Sequence, residues 1–256
     1  MSKFNWWMRA CAVFLFCATT AIALPAQTFK TLHSFDVTDG QYPEAGLVQG
    51  TNGDFYGTTF EGGANNDGTV FKITPSGTLT TLHSFDITDG ATPVAALVQA
   101  TDGHFYGTTY YGGANGYGTL FKITPSGTLT TLHSFDNTDG GYPYAAVLQA
   151  TNGKFYGTTF EGGANADGTV FSLSVGLGPF VETQPTSGKV GAAVKILGTN
   201  LTGATSVTFN GTAAKFTVVS KSEIKTTVPT GATTGPVEVT TPKGTLKSNL
   251  VFRVTK

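Results

Sequence analysis

Sulfur and tryptophan are the most informative absences in this chain. Both cysteines, both methionines and both tryptophans lie within the first 26 residues, and none follows them. The rest of the chain therefore has no disulfide, no thiol nucleophile and no cysteine-bound metal. Charged residues make up only 12% of the chain, and no basic run is present. Neither a nucleic-acid partner nor an anionic membrane surface is indicated.

Long apolar runs are also missing, except for one at the N-terminus. It follows Lys3 and Arg9 and ends before Pro25-Ala26. Because the run is shorter than the ~20 apolar residues that span a bilayer, we interpret residues 1–26 as a secretory signal peptide cleaved near Ala26. The predicted location is therefore secreted, extracellular or periplasmic, with no membrane span in the mature chain. Cleavage changes the formal net charge from −1 to −3, because two basic residues leave with the segment.

No segment shows a sustained helical period, and the sequence instead repeats every 50 residues. Leu-His-Ser-Phe-Asp occurs at 32–36, 82–86 and 132–136, and Phe-Tyr-Gly-Thr-Thr occurs at 55–59, 105–109 and 155–159. Turn residues divide each copy into four short segments rich in β-formers. We name them strands a, b, c and d, predicted in the second copy at 96–100, 104–109, 119–124 and 128–135. Four antiparallel strands in ~50 residues are typical of a β-propeller blade.

The two ends of the repeat region lack complementary strands. Residues 28–35 align with strand d but follow no strand a, b or c, whereas the third copy ends after strand c. We predict an all-β fold in which three four-stranded antiparallel repeats form a propeller-like ring. The N-terminal strand would close the ring by pairing with strand c at 169–173, which leaves no open edge. Because propellers usually have four to eight blades, a trefoil-like pseudo-threefold barrel and a six-bladed homodimer remain as alternatives.

Whole segments of the repeat resemble a known bacterial family. The segments are Phe55-Tyr56-Gly57-Thr58-Thr59, Gly62-Gly63-Ala64-Asn65, the stretch 68–77 and Leu82-His83-Ser84-Phe85. They are similar to the GloVer tandem repeat of bacterial surface and secreted proteins, and the similarity covers about residues 28–174. The resemblance implies a cell-surface or secreted protein.

After Gly176-Leu177-Gly178 the composition changes, and a second resemblance begins. Pro185-Thr186-Ser187-Gly188, the segment 194–201 and Val207-Thr208-Phe209-Asn210-Gly211 are similar to the IPT/TIG domain, an immunoglobulin-like sandwich. This resemblance implies a spacer or binding module without catalytic residues. The predicted organisation is a signal peptide at 1–26, three repeats at 27–175, a linker at 176–179 and an IPT/TIG domain at 180–256.

Several motifs suggest chemistry but are better explained by structure. On a strand, the histidine and serine of Leu-His-Ser-Phe-Asp face opposite sides, so they cannot form a catalytic triad. We predict that His33, His83 and His133 bond to neighbouring backbone. The glycine-rich loop at 62–68 resembles a calcium-binding nonapeptide, but the next copy is 50 residues away. We therefore assign no catalytic residue, no metal and no cofactor.

The differences between the copies indicate a binding surface. Copies one and two differ at 13 of 50 aligned positions, and several of these positions fall in the same two loops, including 41, 42, 44, 61, 66 and 67. A constant framework with variable loop tips is typical of a binding scaffold, so we predict a non-catalytic binding or adhesion protein for extracellular glycan or protein. A polysaccharide-active enzyme, using carboxylates such as Glu61 and Glu161, and a structural spacer are the alternatives. The candidate ligand-binding residues are Tyr42, Phe60, Glu61, Tyr110, Tyr111, Tyr117, Tyr142, Tyr144, Phe160 and Glu161.

Overall fold

The computed structural model describes residues 27–256, so the predicted signal peptide lies outside the described residues. The chain divides at Leu32 into two units. In the first unit, residues 27–31 form neither helix nor strand. All strands among the described residues belong to the second unit, residues 32–256. Within residues 27–256 no helix has the length and apolarity needed to cross a membrane.

The repeats form three antiparallel sheets, in which each strand pairs with the next along the chain. Repeats 1 and 2 have four strands each, as predicted, and repeat 3 has three. The strands of repeat 1 are β1 (Val48–Gln49), β2 (Phe55–Thr59), β3 (Thr69–Ile73) and β4 (Leu79–Ser84). Those of repeat 2 are β5 (Val98–Gln99), β6 (Phe105–Thr109), β7 (Thr119–Ile123) and β8 (Leu129–Ser134). Repeat 3 contains β9 (Leu148–Gln149), β10 (Phe155–Thr159) and β11 (Thr169–Leu173).

Consecutive repeats pack face to face through the same residues at both junctions. The ring of Tyr56 stacks on Phe105 with 3.9 Å between centroids, and Tyr106 stacks on Phe155 at 4.1 Å. At the rim, the Thr51 N–H donates to Gln99 Oε1 at 2.9 Å, and the Thr101 N–H makes the same bond to Gln149 at 3.0 Å. Each repeat therefore covers its apolar face with the next repeat, and this fixes the spacing of their loops.

The predicted closure by the N-terminal strand is wrong within one chain. Residues 32–36 belong to no strand, and β11 pairs only with β10. Phe35 instead packs edge-on against Phe71 of repeat 1, at a centroid distance of 5.1 Å. The reason is that strand d contacts the repeat that follows it in the chain, as Phe85 contacts Phe121. The predicted trefoil-like closed barrel is not found among the described strands either.

The C-terminal region contains two further four-stranded sheets around one apolar core. The first, in the order β12-β14-β18-β17, consists of β12 (Glu182–Gln184), β14 (Ala193–Leu197), β18 (Glu223–Thr227) and β17 (Phe216–Ser220). The second, in the order β16-β15-β19-β20, consists of β16 (Thr212–Ala213), β15 (Ser206–Phe209), β19 (Val237–Thr241) and β20 (Gly244–Lys247). A parallel pair, β13 (Ser187–Lys189) and β21 (Arg253–Thr255), completes the region. The core between the two sheets includes Ile196, Phe209, Ile224, Val239 and Phe252.

Candidate functional site

A hydrogen-bonded bend follows the phenylalanine of each Leu-His-Ser-Phe-Asp segment. His83 Nε2 lies 2.7 Å from Asp89 Oδ2, six residues later. The same contact joins His33 to Asp39 and His133 to Asp139. The predicted bonds of these histidines to backbone are therefore wrong, because the bend turns the second aspartate of Asp-x-Thr-Asp-Gly back towards the strand. Each of these contacts links the Leu-His-Ser-Phe-Asp segment to the loop that precedes strand a.

The first aspartate of the same bend receives several hydrogen bonds. Asp86 Oδ1 accepts the Thr88 hydroxyl at 2.6 Å and the Asp89 N–H at 3.2 Å. Bonds to the ionised form favour it, and they lower the pKa of Asp86. The corresponding bonds lower the pKa values of Asp36 and Asp136. The loop between strands d and a is thus fixed by side chains that repeat every 50 residues.

This d–a loop meets the loop between strands b and c of the preceding repeat. The Tyr142 N–H donates to the Tyr117 carbonyl at 2.8 Å, and the Thr92 N–H donates to the Asp67 carbonyl at 2.8 Å. The backbone at Tyr42, Thr92 and Tyr142 is left-handed, with φ between 51° and 57°. Such a conformation is unfavourable for bulky or β-branched residues, so the surrounding bonds must hold it. The junction of repeats 1 and 2 and the junction of repeats 2 and 3 therefore have the same backbone contact, with Thr92 and Asp67 at the first and Tyr142 and Tyr117 at the second.

Five tyrosines converge where repeats 2 and 3 meet. Their ring centroids lie 4.5 to 5.8 Å from their neighbours'. Tyr111 and Tyr144 are 46% and 61% exposed, whereas the other three are half-buried. We call this group the tyrosine cluster: Tyr110, Tyr111, Tyr117, Tyr142 and Tyr144.

The surroundings of two central phenols of the cluster disfavour their ionised form. Desolvation at the junction, followed by the nearby Tyr111 and the Glu161 carboxylate, raises the pKa of Tyr110. Desolvation, followed by Tyr117 and Glu161, raises the pKa of Tyr142. Neutral phenols can donate hydrogen bonds, and Glu161, which is exposed, can accept them. The cluster thus offers aromatic faces, hydroxyl donors and one acceptor within a small area.

The remaining sequence-predicted residues lie outside the ring contacts of the cluster. Tyr42, Phe60 and Glu61 belong to repeat 1, where the Phe60 N–H donates to the Tyr42 carbonyl at 3.0 Å. Phe160 makes the corresponding backbone bond to Tyr142 at 3.1 Å, with its ring exposed. Of the ten candidates, the structure therefore unites five tyrosines and sets Glu161 and Phe160 beside them.

Two polar groups were not predicted from the sequence. Asp102 Oδ2 accepts the Tyr106 hydroxyl at 2.9 Å and lies 3.0 Å from His104 Nδ1. Burial, followed by this hydrogen bond, raises the pKa of Tyr106. The second group is at the junction of repeats 1 and 2, where burial, followed by Asp86 and Asp89, raises the pKa of Asp67. A signal for the first was present, since Asp102, His104 and Tyr106 occupy alternate positions from the a–b turn into the start of strand b.

No metal site is found in the described part of the chain. Residues 27–256 contain no group of three or more His, Cys, Asp or Glu side chains that could hold an ion.

Comparisons with known proteins identify the repeat. A family profile described as the Gloeobacter/Verrucomicrobia repeat matches residues 18–218. No curated protein matches the chain. Among solved structures, the chain is similar to a novel fungal alcohol oxidase with catalytic diversity among the AA5 family, in complex with copper. The identity is 15% and the TM-score 0.36, over 80% of this chain and 52% of that chain. The chain thus spans about half the length of the oxidase.

Proposed function

The chain belongs to the Gloeobacter/Verrucomicrobia repeat family, and we propose that this member is an extracellular, non-catalytic protein that binds carbohydrate through the tyrosine cluster. The observation that carries the proposal is the convergence of five of the chain's nine tyrosines at one junction. Aromatic faces pack against the C–H surfaces of sugars, and tyrosine adds large contact area at low entropy cost. The neutral phenols and Glu161 would bond to sugar hydroxyls.

Three finer assignments belong to the proposal. The repeats would be consecutive blades of a propeller-like array, for which the stacked four-stranded sheets are the support. Residues 180–256 would form an IPT/TIG domain, supported by two sheets around one core. Residues 1–26 would direct export, supported by the apolar run that follows Lys3 and Arg9.

The enzyme alternative receives less support than binding. Hydrolysis of a glycosidic bond needs two carboxyl groups roughly 5 to 10 Å apart. Glu61 and Glu161 belong to different repeats, where Glu61 forms an isolated bridge with Gln41 and Glu161 forms one with Gly141. Repeat 2, which lies between these two repeats in the chain, has Tyr111 at the corresponding position.

A glycan array probed with residues 27–256 tests the proposal, followed by titration of the best glycan. Tyrosine fluorescence can report binding, because no tryptophan follows residue 26. The test variant is the double substitution Tyr142→Thr, Tyr144→Val. The junction of repeats 1 and 2 has Thr92 and Val94 at these two positions, so the backbone should tolerate the change. We expect its affinity to fall by about 10-fold or more, as at an aromatic hot spot.

The matched control is Tyr42→Thr, the same substitution at the same loop position of repeat 1, outside the cluster. It should leave the affinity unchanged. Equal binding by the double variant and the wild type would show that the cluster is not the site. Failure to bind any glycan, with capture of an extracellular protein instead, would replace carbohydrate with a protein ligand.

A further inference from the structure

Repeats 1 and 3 each have one exposed apolar face. The equivalent faces at the two inner junctions are covered by the neighbouring repeat. We propose that the chain associates head to tail with a second copy, so that residues 32–35 of one copy pair with β11 of the other. The first face of repeat 1 would then dock on the outer face of repeat 3. The proposal does not rest on carbohydrate binding, and either can fail without the other.

The first face of repeat 1 is open where those of repeats 2 and 3 are closed. Leu97 and Val147 are buried at the inner junctions, but Leu47, at the same position, is 56% exposed. Phe55 has no tyrosine stacked on it, unlike Phe105 and Phe155. A cavity of about 440 Å³ remains there, lined by apolar side chains that include Leu32, Phe35, Leu47, Phe55, Phe71 and Ile73.

The outer face of repeat 3 shows the complementary difference. Val70 and Leu120 are almost completely buried against the following repeat, but Val170 is 80% exposed. Leu148 is exposed as well, whereas Val98 is half-buried. This face therefore presents the side chains that, in repeats 1 and 2, fill the cavity of the next repeat.

The edge of β11 lacks the strand that its counterparts have. β3 pairs with β4, and β7 pairs with β8, but β11 pairs only with β10. Beside it lies a cavity of about 200 Å³ lined by residues that include Phe135, Phe171 and Leu173. An open edge of this kind can accept an added strand from another chain.

Residues 32–35 already have the placement that the missing strand requires. The Leu32 carbonyl lies close to Gly77 of repeat 1, in the same way that the Leu82 carbonyl lies close to Gly127 of repeat 2. Phe35 meets Phe71 at 5.1 Å, as Phe85 meets Phe121 at 5.3 Å. Repeat 1 thus carries, next to its open face, the segment that would be strand d of a preceding repeat. A second copy supplies such a repeat, since its repeat 3 has strands a, b and c.

The C-terminal region leaves most of this edge free. It contacts repeat 3 at the turn between strands a and b, where Thr151 Oγ1 lies 2.9 Å from Thr199 Oγ1, and its Glu182 and Glu223 line a cavity together with Leu148 of β9. The exposed Val170 and the edge of β11 lie on the other strands of the sheet. Two copies that each use both faces would form two equivalent contacts and six repeats, within the size range of closed propellers.

Disulfide capture tests the register. Val70 pairs with His83, and Leu120 with His133, so Val170 should pair with His33 of the second copy. The variant His33→Cys, Val170→Cys in residues 27–256 introduces the only cysteines. Paired Cβ atoms are close enough for a disulfide, and we expect a covalent dimer under oxidising conditions. The control Val70→Cys, His83→Cys should crosslink within the monomer.

A crosslink within one monomer of the first variant would mean that the chain closes on itself, and would overturn the proposal. Failure to crosslink, while the control closes, would overturn it as well. Sedimentation then tests the two faces separately. Leu47→Glu and Val170→Glu should each raise the dissociation constant of the dimer by about 100-fold or more, because each buries an unpaired charge.

An equimolar mixture of these two variants distinguishes head-to-tail contact from symmetric contact. One unaltered junction remains in the mixture, between the outer face of the Leu47→Glu chain and the first face of the Val170→Glu chain. We therefore expect dimers to reappear. Val219→Glu, at an exposed position of the C-terminal region, is the control and should remain dimeric. A wild-type chain that is monomeric throughout, or a mixture without dimers, would contradict the proposal.

Discussion

At the scale of single residues, one position of the b–c loop is charged in repeats 1 and 3 and aromatic in repeat 2. Asp67 lies near Asp86 and Asp89, and burial together with these carboxylates raises its pKa. Repeat 2 has Tyr117 at the same position, where it joins the tyrosine cluster. Repeat 3 has Asp167, which is exposed, and the chain continues from this repeat into the C-terminal region rather than into a strand d and a d–a loop with two aspartates. The same loop position thus has a carboxylate close to two other carboxylates in repeat 1 and an aromatic ring in repeat 2.

Replacing Asp67 with asparagine should stabilise the protein at neutral pH. Because the pKa is raised in the folded state, the folded protein holds the proton more tightly, and ionisation of Asp67 costs stability above that pKa. The gain from Asp67→Asn should therefore be fully present at pH 7, up to about 1 kcal/mol for a partly exposed group. It should disappear as the pH falls below the ordinary value for aspartate. Urea unfolding at several pH values measures this difference, with Asp167→Asn as the neutral control.

At the scale of elements, one short sequence is a strand where a neighbouring strand can pair with it, and is not a strand where none can. Leu-His-Ser forms the end of β4 at 82–84 and of β8 at 132–134, but residues 32–34 with the same sequence form no strand. The difference is that β3 and β7 offer their edges to the second and third segments. Local pattern therefore predicted which residues can become strands b, c and d, within about one residue. It could not predict pairing for a segment whose partner strand is absent.

The candidate site was predictable to a similar extent. Aromatic residues at the loop tips were recognisable, because strands stay constant while these positions vary. Which of them meet depends on the contact between the b–c loop of one repeat and the d–a loop of the next, through bonds such as Tyr142 to Tyr117. The histidine–aspartate pairs were missed, because a separation of six residues gives no signal until the bend between them is known.

Glycine in strand b tests how tightly the sheets pack. A Cβ on Gly107 would lie 2.7 Å from both Leu97 and Phe121, which are buried. Gly107→Ala should therefore destabilise the protein by about 1–3 kcal/mol, as overpacking does. A Cβ on Gly57 would lie 2.7 Å from Phe71 and 2.8 Å from the exposed Leu47. Because both of these side chains line the open cavity of repeat 1 and can shift into it, Gly57→Ala should cost less. Gly46→Ala, with no atom within 4 Å, is the control. Equal effects of the first two in chemical denaturation would show that both faces are equally constrained.

At the scale of the whole molecule, the repeat region is an array in which each junction reuses the same contacts. Repeat 2 is covered on both faces, whereas repeats 1 and 3 each have one open face. In such arrays stability is approximately a sum of the repeats and their nearest-neighbour contacts. The same substitution should therefore have different effects at the ends and in the middle, and the repeated phenylalanine of strand d offers that comparison.

Phe85→Ala and Phe135→Ala should destabilise the monomer far more than Phe35→Ala. Phe85 and Phe135 are buried against Phe121 and Phe171, and removing a buried phenylalanine costs about 3–5 kcal/mol. Phe35 is half-buried against Phe71, so its loss should cost less than about 2 kcal/mol. Denaturant unfolding in the Val170→Glu background measures the three effects without self-association. If Phe35→Ala lowered the free energy of unfolding as much as the other two substitutions, Phe35 would be fully buried between two repeats of the same chain. The array would then be closed rather than open.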